Sequence, residues 1–407
     1  MKLIALDNVR YWVLILLITL ITFSSHPTIV AMSHAAGIQV GTILSRYIIL
    51  VYGALFVMCI NFKSMLRPRF IRVCWVIYFV MALYFLMVFA FFSDKNMLSD
   101  LRSIAICLVA IMIGWQMRLD ERRYWWLLMV YSSLTLFVGL MQVFTNVGGF
   151  VISDQYLADN KNSLGVMLAS AIVILVFVGM NQGKTVLRQV LFIALSIFAF
   201  FILLTIRART ATLTVLLMLL YILFERFKGR NIALFFVGGL ALLGIIFVLL
   251  PDSVKDYFFN SLLQNREGDI TAGRIERNQA GLSVLAQSPF LGNLGKNAEI
   301  GTIHNYPLNR TFAFGIVFSF PILLMYFYIL IFAVKRTIKA NNRQNGNIGY
   351  YLLLIPFIIS MAEYTFPYGP GTATVFNFLL FGISLSYSEN ISFLQSNSGF
   401  NGRLLIK

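Results

Sequence analysis

Three observations predict an all-α chain that crosses a membrane many times. Apolar residues make up 59% of the 407 and charged residues only 12%, half the roughly 25% of a soluble domain. The mean hydropathy is +0.82. The apolar residues also gather into twelve runs long enough, or nearly so, to cross a hydrocarbon core of about 30 Å. Lipid offers no partners to backbone polar groups, so such runs are expected to be helices.

The runs lie near 11–30, 43–60, 73–92, 102–117, 124–145, 163–180, 189–206, 210–224, 231–250, 312–334, 349–366 and 373–388. Those at 102–117, 210–224 and 373–388 are the shortest. The longest interruption is the polar stretch from Pro251 to Arg310. Three regions result: 1–250 with nine spans, 251–311 as one large loop carrying short helices, and 312–407 with three spans and a tail. The first run has a basic flank in Lys2 and Arg10 but no small-residue cleavage site after it, so a removed signal peptide is not expected. Cys59, Cys74 and Cys107 sit in or beside apolar runs without CxxC spacing. Packed thiols are therefore expected, rather than a disulfide framework or a metal site.

The formal charge of +16 invites a nucleic-acid reading, which the distribution of the basic residues excludes. With the N-terminus inside, the inner segments 2–10, 63–72, 118–123, 184–188, 226–230, 335–343 and 403–407 hold 20 of the 32 Lys and Arg. The short outer segments and their edges hold only Arg46, Lys95, Arg102, Lys161, Arg207 and Arg209. Short loops rich in Lys and Arg stay cytoplasmic, whereas long loops count little in that rule. Both termini are thus expected inside and the polar stretch outside, and the basic balance reports topology.

Two outer features are not accounted for by orientation. The seventh run ends in Thr205-Ile-Arg-Ala-Arg-Thr-Ala-Thr212 and the eighth starts at once. Arg207 and Arg209 are thereby held at the membrane edge, either snorkelling to headgroups or clamping a phosphate in bidentate fashion. Within the long loop, Thr271 can cap a helix over about 273–287, which Ser288-Pro289 ends. Ile275, Leu282, Leu285 and Ala286 make one apolar face; Arg274, Arg277 and Gly281 lie on another. That helix either rests on the membrane surface or turns its arginines into a cavity between the spans, with Gly292 and Gly295 allowing a tight turn back.

His304, one of three histidines, lies in Thr302-Ile-His-Asn-Tyr306; a hydrogen-bonded structural role and a catalytic one both fit its spacing. His26 and His34 have weaker claims. HExxH, paired acids in a DxD pattern and a Walker A loop are all missing, which argues against a divalent-metal mechanism. Glu363 falls within the eleventh run, where a carboxylate needs a partner or a water-filled cavity. Asp120-Glu-Arg-Arg123 reads as a solvated inner turn.

In this order and topology, Arg-Ala-Arg-Thr-Ala-Thr (207–212), Gly-Arg…Ser-Pro-Phe-Leu-Gly (273–292), His-Asn-Tyr (304–306) and Gly-Ile-Val (315–317) resemble the O-antigen ligase and O-antigen polymerase superfamily over roughly 160–335. The resemblance implies metal-independent glycosyl transfer, without a cofactor, at the periplasmic face of the bacterial inner membrane. The donor would be an undecaprenyl-diphosphate-linked glycan. The acceptor would be a lipid-linked repeat or lipid A–core, and a chain-length regulator would be a protein partner. Carried over by position, Arg209 or Arg207, together with Arg274, match arginines that hold the donor diphosphate. His304 matches the histidine serving the acceptor hydroxyl. Arg277 is a second clamp without a family match.

The residue types suit that chemistry. Guanidinium groups stabilise a departing diphosphate, and imidazole takes up a proton near neutrality. Ligases of the superfamily carry an acid shortly after the His-Asn pair. Here Tyr306 to Gly315 contains none, which favours polymerase over ligase. A transporter of lipid-linked glycan is the alternative of another class; it would call for internal repeats and broken helices at the midplane, and the sequence shows no repeat.

Overall fold

The computed structural model describes residues 2–24, 40–117, 119–146, 161–182, 185–206, 208–226, 274–294, 303–340, 345–369 and 373–398. The expectations placed on 231–250, 251–273, Gly295, Arg207, His26 and His34 lie outside these residues.

Among the described residues all regular structure is helical. The helices are α1 (Lys2–Phe23), α2 (Val40–Cys59), α3 (Phe62–Met65), α4 (Arg69–Phe92), α5 (Asn96–Gln116), α6 (Glu121–Asn146), α7 (Lys161–Gln182), α8 (Val186–Thr205), α9 (Arg209–Arg226), α10 (Arg274–Gln287), α11 (Tyr306–Lys339), α12 (Ile348–Ser360) and α13 (Val375–Ser398). Seven of them, α1, α4 to α8 and α11, are long and apolar enough to cross a membrane. Shorter apolar helices cover Arg46–Cys59, Ile348–Ser360 and Val375–Ser388.

The bundle has an inside and an oily outside. Along α7, 83% of the apolar window is buried, against 22% for α4 and α8. α7 therefore runs through the middle, packed on α6, α8, α9 and α12, while α4 and α8 form the rim. The rim of α4 turns Val76, Phe79, Leu83 and Leu86 outwards, each more than half exposed. An outward apolar stripe of that kind suits lipid. At the centre, Asn377 on α13 donates to the Leu352 carbonyl of α12 at 2.8 Å and to Ser170 Oγ of α7 at 3.0 Å. An amide placed this deep ties three helices together because no water competes for it.

The helix ends sort into two groups. Arg10 donates to Met58 O at 2.9 Å, Arg123 to Asn8 Oδ1 at 2.5 Å, Trp115 to Ser64 O at 3.1 Å and Tyr351 to Glu225 Oε2 at 2.5 Å. Each of these lies in a segment expected inside or at the end of a run next to one. At the other end Arg310 meets Asp100, and Asn305 meets Met361; the first three come from segments expected outside and Met361 from the outer part of the eleventh run.

α11 departs from the expected span. It starts at Tyr306 instead of near 312, so Arg310 lies within a helix, and it is broken at Gly315 (φ 67°, ψ 176°). A break frees backbone groups that lipid cannot satisfy. Here the turn after α10 takes them up: Ile316 N–H donates to Pro289 O at 2.9 Å, Val317 N–H to Phe290 O at 3.3 Å, and Asn293 N–H to Phe312 O at 3.0 Å. Gly292 also has positive φ, 59°. A Cβ there would lie 2.3 Å from Phe312 O, and one on Gly315 would lie 2.2 Å from Phe290 O. Both positions need glycine for φ and for the close approach of two backbones.

Two further expectations are corrected. α12 ends at Ser360, so Glu363 sits in the turn that follows the helix and not within it. The apolar face drawn for α10 is packed only in part: Leu285 is half-buried, Leu282 is 53% exposed and Ala286 is exposed, whereas Gly281 is buried. A glycine lets the helix come closer than a leucine would, so the contact forms there.

The first half of α11 is anchored by an ion pair. Arg310 Nη2 lies 2.7 Å from Asp100 Oδ1 of α5, with side chains 18% and 7% exposed, and its guanidinium covers the Tyr306 ring at 4.9 Å. Breaking a buried pair by removing one partner costs about 3–5 kcal/mol, because the other charge stays buried. Arg310→Met is expected to lower stability on that scale, and Asp100→Leu/Arg310→Met to recover most of it. Thermal unfolding of the purified protein in detergent compares the two.

Candidate functional site

The site grows from the start of α11. Asn305 is its N-cap, and Oδ1 accepts from Leu308 N–H at 3.0 Å. This satisfies one of the orphan donors of the first turn. The same side chain donates through Nδ2 to Met361 O at 3.0 Å. A single residue therefore starts α11 and fastens it to the turn after α12.

That fastening sets His304 against Met361–Tyr364. Its Nδ1 is 3.5 Å from Glu363 Oε2, and its ring stands edge-on to Tyr364 with centroids 6.1 Å apart. The His304 side chain is 25% exposed and that of Glu363 is 9%. The imidazole thus opens to solvent on one side and meets a buried carboxylate on the other. The remaining nitrogen, Nε2, is 3.4 Å from Arg277 Nη1. Arg277 arrives from α10, whose Gly281 faces Ile303, where a Cβ would fall 2.2 Å from Ile303 Cδ1. Ile303 is 2% exposed, so this contact seats α10 directly beside the histidine.

A layer of aromatic and hydroxyl groups lies under the site. Tyr306 stacks on Tyr326 with centroids 5.7 Å apart and meets Tyr368 edge-on at 5.8 Å. Tyr326 OH is 2.8 Å from Ser360 Oγ. Together with the Arg310–Asp100 pair, these contacts give the polar cluster a packed floor.

Of the residues expected to form a site, His304 and Arg277 are brought together. Arg274 is the first residue of α10, one turn before Arg277; its side chain lies outside the described part, as does Arg207. Arg209 is exposed in the first turn of α9. Glu363 has His304 as a neighbour, a pairing the sequence did not reveal because the two are separated by two helices. Asp100 and Tyr364 were not singled out either. The one available signal for Asp100 was an acid at the lip of an apolar run.

The arrangement has a definite chemical capacity: an imidazole between a carboxylate and a guanidinium, beside a helix whose first turn carries a further arginine. It can take up a proton and hold an anion. No family model and no curated protein matches the sequence.

The double role of Asn305 is separable. Asn305→Asp keeps an oxygen for Leu308 N–H but loses the donor to Met361, whereas Asn305→Ala loses both, the cap being worth about 1 kcal/mol. Backbone hydrogen exchange is expected to quicken at 361–364 in both variants and at 306–309 only in Asn305→Ala.

Proposed function

We propose that the chain is a multi-pass enzyme of the bacterial inner membrane, with about twelve spans and both termini cytoplasmic. It transfers a glycan from undecaprenyl diphosphate at the periplasmic face, extending a surface polysaccharide such as O-antigen or capsule by repeat units. The observation that carries the reading is His304 held between Glu363 and Arg277 in the polar stretch between the spans. The resemblance of 207–212, 273–292, 304–306 and 315–317 to the O-antigen polymerase and ligase superfamily supports it. So does the pairing of two of those stretches, Pro289–Asn293 with Phe312–Val317.

In the proposed reaction the acceptor is a lipid-linked repeat whose hydroxyl attacks the anomeric carbon of the donor. The new carbon–oxygen bond forms as the bond to the diphosphate breaks, and the electron pair leaves with the diphosphate. The hydroxyl proton passes to His304 Nε2. Arg209, Arg274 and Arg277, with Arg207 at the outer turn, bind the diphosphate oxygens and stabilise the charge that develops on them. Arg277 leaves its resting place on Nε2 to do so. Neither a metal nor a cofactor enters these steps. Membrane lipid surrounds the spans, and a chain-length regulator is the proposed protein partner.

Topology is checked by labelling in a background without Cys59, Cys74 and Cys107. Gln279→Cys on α10 is expected to react with a membrane-impermeant reagent in cells whose inner membrane is intact, and Lys339→Cys only after that membrane is opened. The reverse pattern overturns the orientation.

The reaction is checked with purified protein, lipid-linked oligosaccharide and a chelator, the glycan product being read on a gel. His304→Ala is expected to bind donor yet lose about 10²–10⁴-fold in rate. Arg274→Lys and Arg277→Lys keep the charge but lose the planar fork, and product formation is expected to fall sharply in each. Growth in length supports the polymerase, and a single transfer to lipid A–core points to a ligase. Donor crossing vesicles without product points to a transporter. Turnover that requires a divalent cation overturns the arginine clamp.

A further inference from the structure

We propose that Glu363 is the positioning residue of His304, fixing its orientation and its tautomer so that the proton sits on Nδ1 and the lone pair on Nε2. The neighbours of both ring nitrogens favour this. Arg277 has donors and no acceptor, so the neutral imidazole presents an acceptor at Nε2 to the guanidinium 3.4 Å away. Glu363 as a carboxylate has acceptors and no donor, so Nδ1 presents the hydrogen to Oε2 across 3.5 Å. Among the described residues, the charged and titratable side chains facing the ring are Arg277 from α10 and Glu363 and Tyr364 from the turn after α12.

Three observations make this more than a chance contact. Glu363 is 7% exposed, and burying a carboxylate is costly unless it is paired, so a neutral acceptor would serve a purely architectural bond at less cost. The turn that carries it is tied at Met361 to Asn305, the residue following His304, which keeps the two side chains in register. The carboxylate meets Nδ1 and leaves Nε2 to Arg277 of α10. At 3.5 Å the contact is longer than a formed hydrogen bond, and Nδ1 is buried without another partner. A shift of a few tenths of an ångström closes it. When Nε2 takes a proton the ring becomes an imidazolium, and Glu363 is then its counter-charge.

The inference deepens the proposed reaction, since it assigns the partner of the imidazole that works there, but its test does not need that reaction. With His26→Gln and His34→Gln the full chain carries one imidazole, whose ¹⁵N spectrum in detergent at a pH where the ring is neutral reports the tautomer directly. The form with the proton on Nδ1 is expected in this background and again after adding Arg277→Ala. Adding Glu363→Leu to Arg277→Ala is expected to move the proton to Nε2, the form a free histidine side chain favours in water. If that variant does not accumulate, Arg277→Ala/Glu363→Gln is expected to give a mixture of the two forms. A proton on Nε2 in the starting protein, or an unchanged spectrum on loss of the carboxylate, overturns the proposal. In the glycan assay Glu363→Gln is expected to lower kcat by about 10–100-fold, the scale of orienting partners, with KM for the donor unchanged. The expected tautomers in a protein that transfers no glycan would sink the proposed reaction while leaving the role of Glu363 in place.

Discussion

Backbone groups cannot go unpaired in lipid, and the architecture of the site follows from how the chain meets that requirement at Gly315. A continuous α11 would need nothing from the loop. The broken one needs two carbonyl oxygens and an N–H from outside itself, and Pro289, Phe290 and Asn293 supply them. That exchange brings the turn after α10 down onto α11. It fixes the distance at which α10 runs past Ile303, and so places Arg277 at the histidine. A loop docked only by side chains would be free to lift; this one is stitched in by main chain.

The architecture was legible where one-dimensional physics suffices. Apolar runs gave the helices, Ser288-Pro289 gave the end of α10, and the alternation of runs and turns gave the grouping of helix ends seen in the Arg10–Met58 and Trp115–Ser64 contacts. Hydrophobicity alone misjudged the two elements that carry the site. It placed the start of α11 too late, because Tyr306 to Thr311 includes the polar Asn309 and Arg310. It carried the eleventh span past Ser360 because Met361 and Ala362 are apolar.

Partnership across the chain was the part that stayed hidden. Glu363 was recognisable as a carboxylate in need of company, yet nothing local names His304 as the neighbour. Pro289-Phe-Leu-Gly292 and Gly315-Ile-Val317 were each visible as motifs, but that they are two halves of one hydrogen-bonded joint is a fact of three dimensions. Asp100 was invisible for a different reason: a single acid beside an apolar run looks like ordinary punctuation until Arg310 is seen against it. Among the described residues, two buried acids at the site end each face a basic partner, Asp100 with Arg310 and Glu363 with His304.

The joint at Gly315 also has a direction in time. Pro289 to Asn293 precede Gly315 in the chain, so during synthesis the acceptor carbonyls exist before the N–H groups of Ile316 and Val317 are made. A helix broken in this manner can enter the bilayer with its partners already waiting, and the gap is closed as it arrives. Were the order of the two segments reversed, α11 would sit in lipid with open backbone groups until the rest of the protein emerged. Chain order here serves as an assembly instruction, built into the same three hydrogen bonds that hold the finished site.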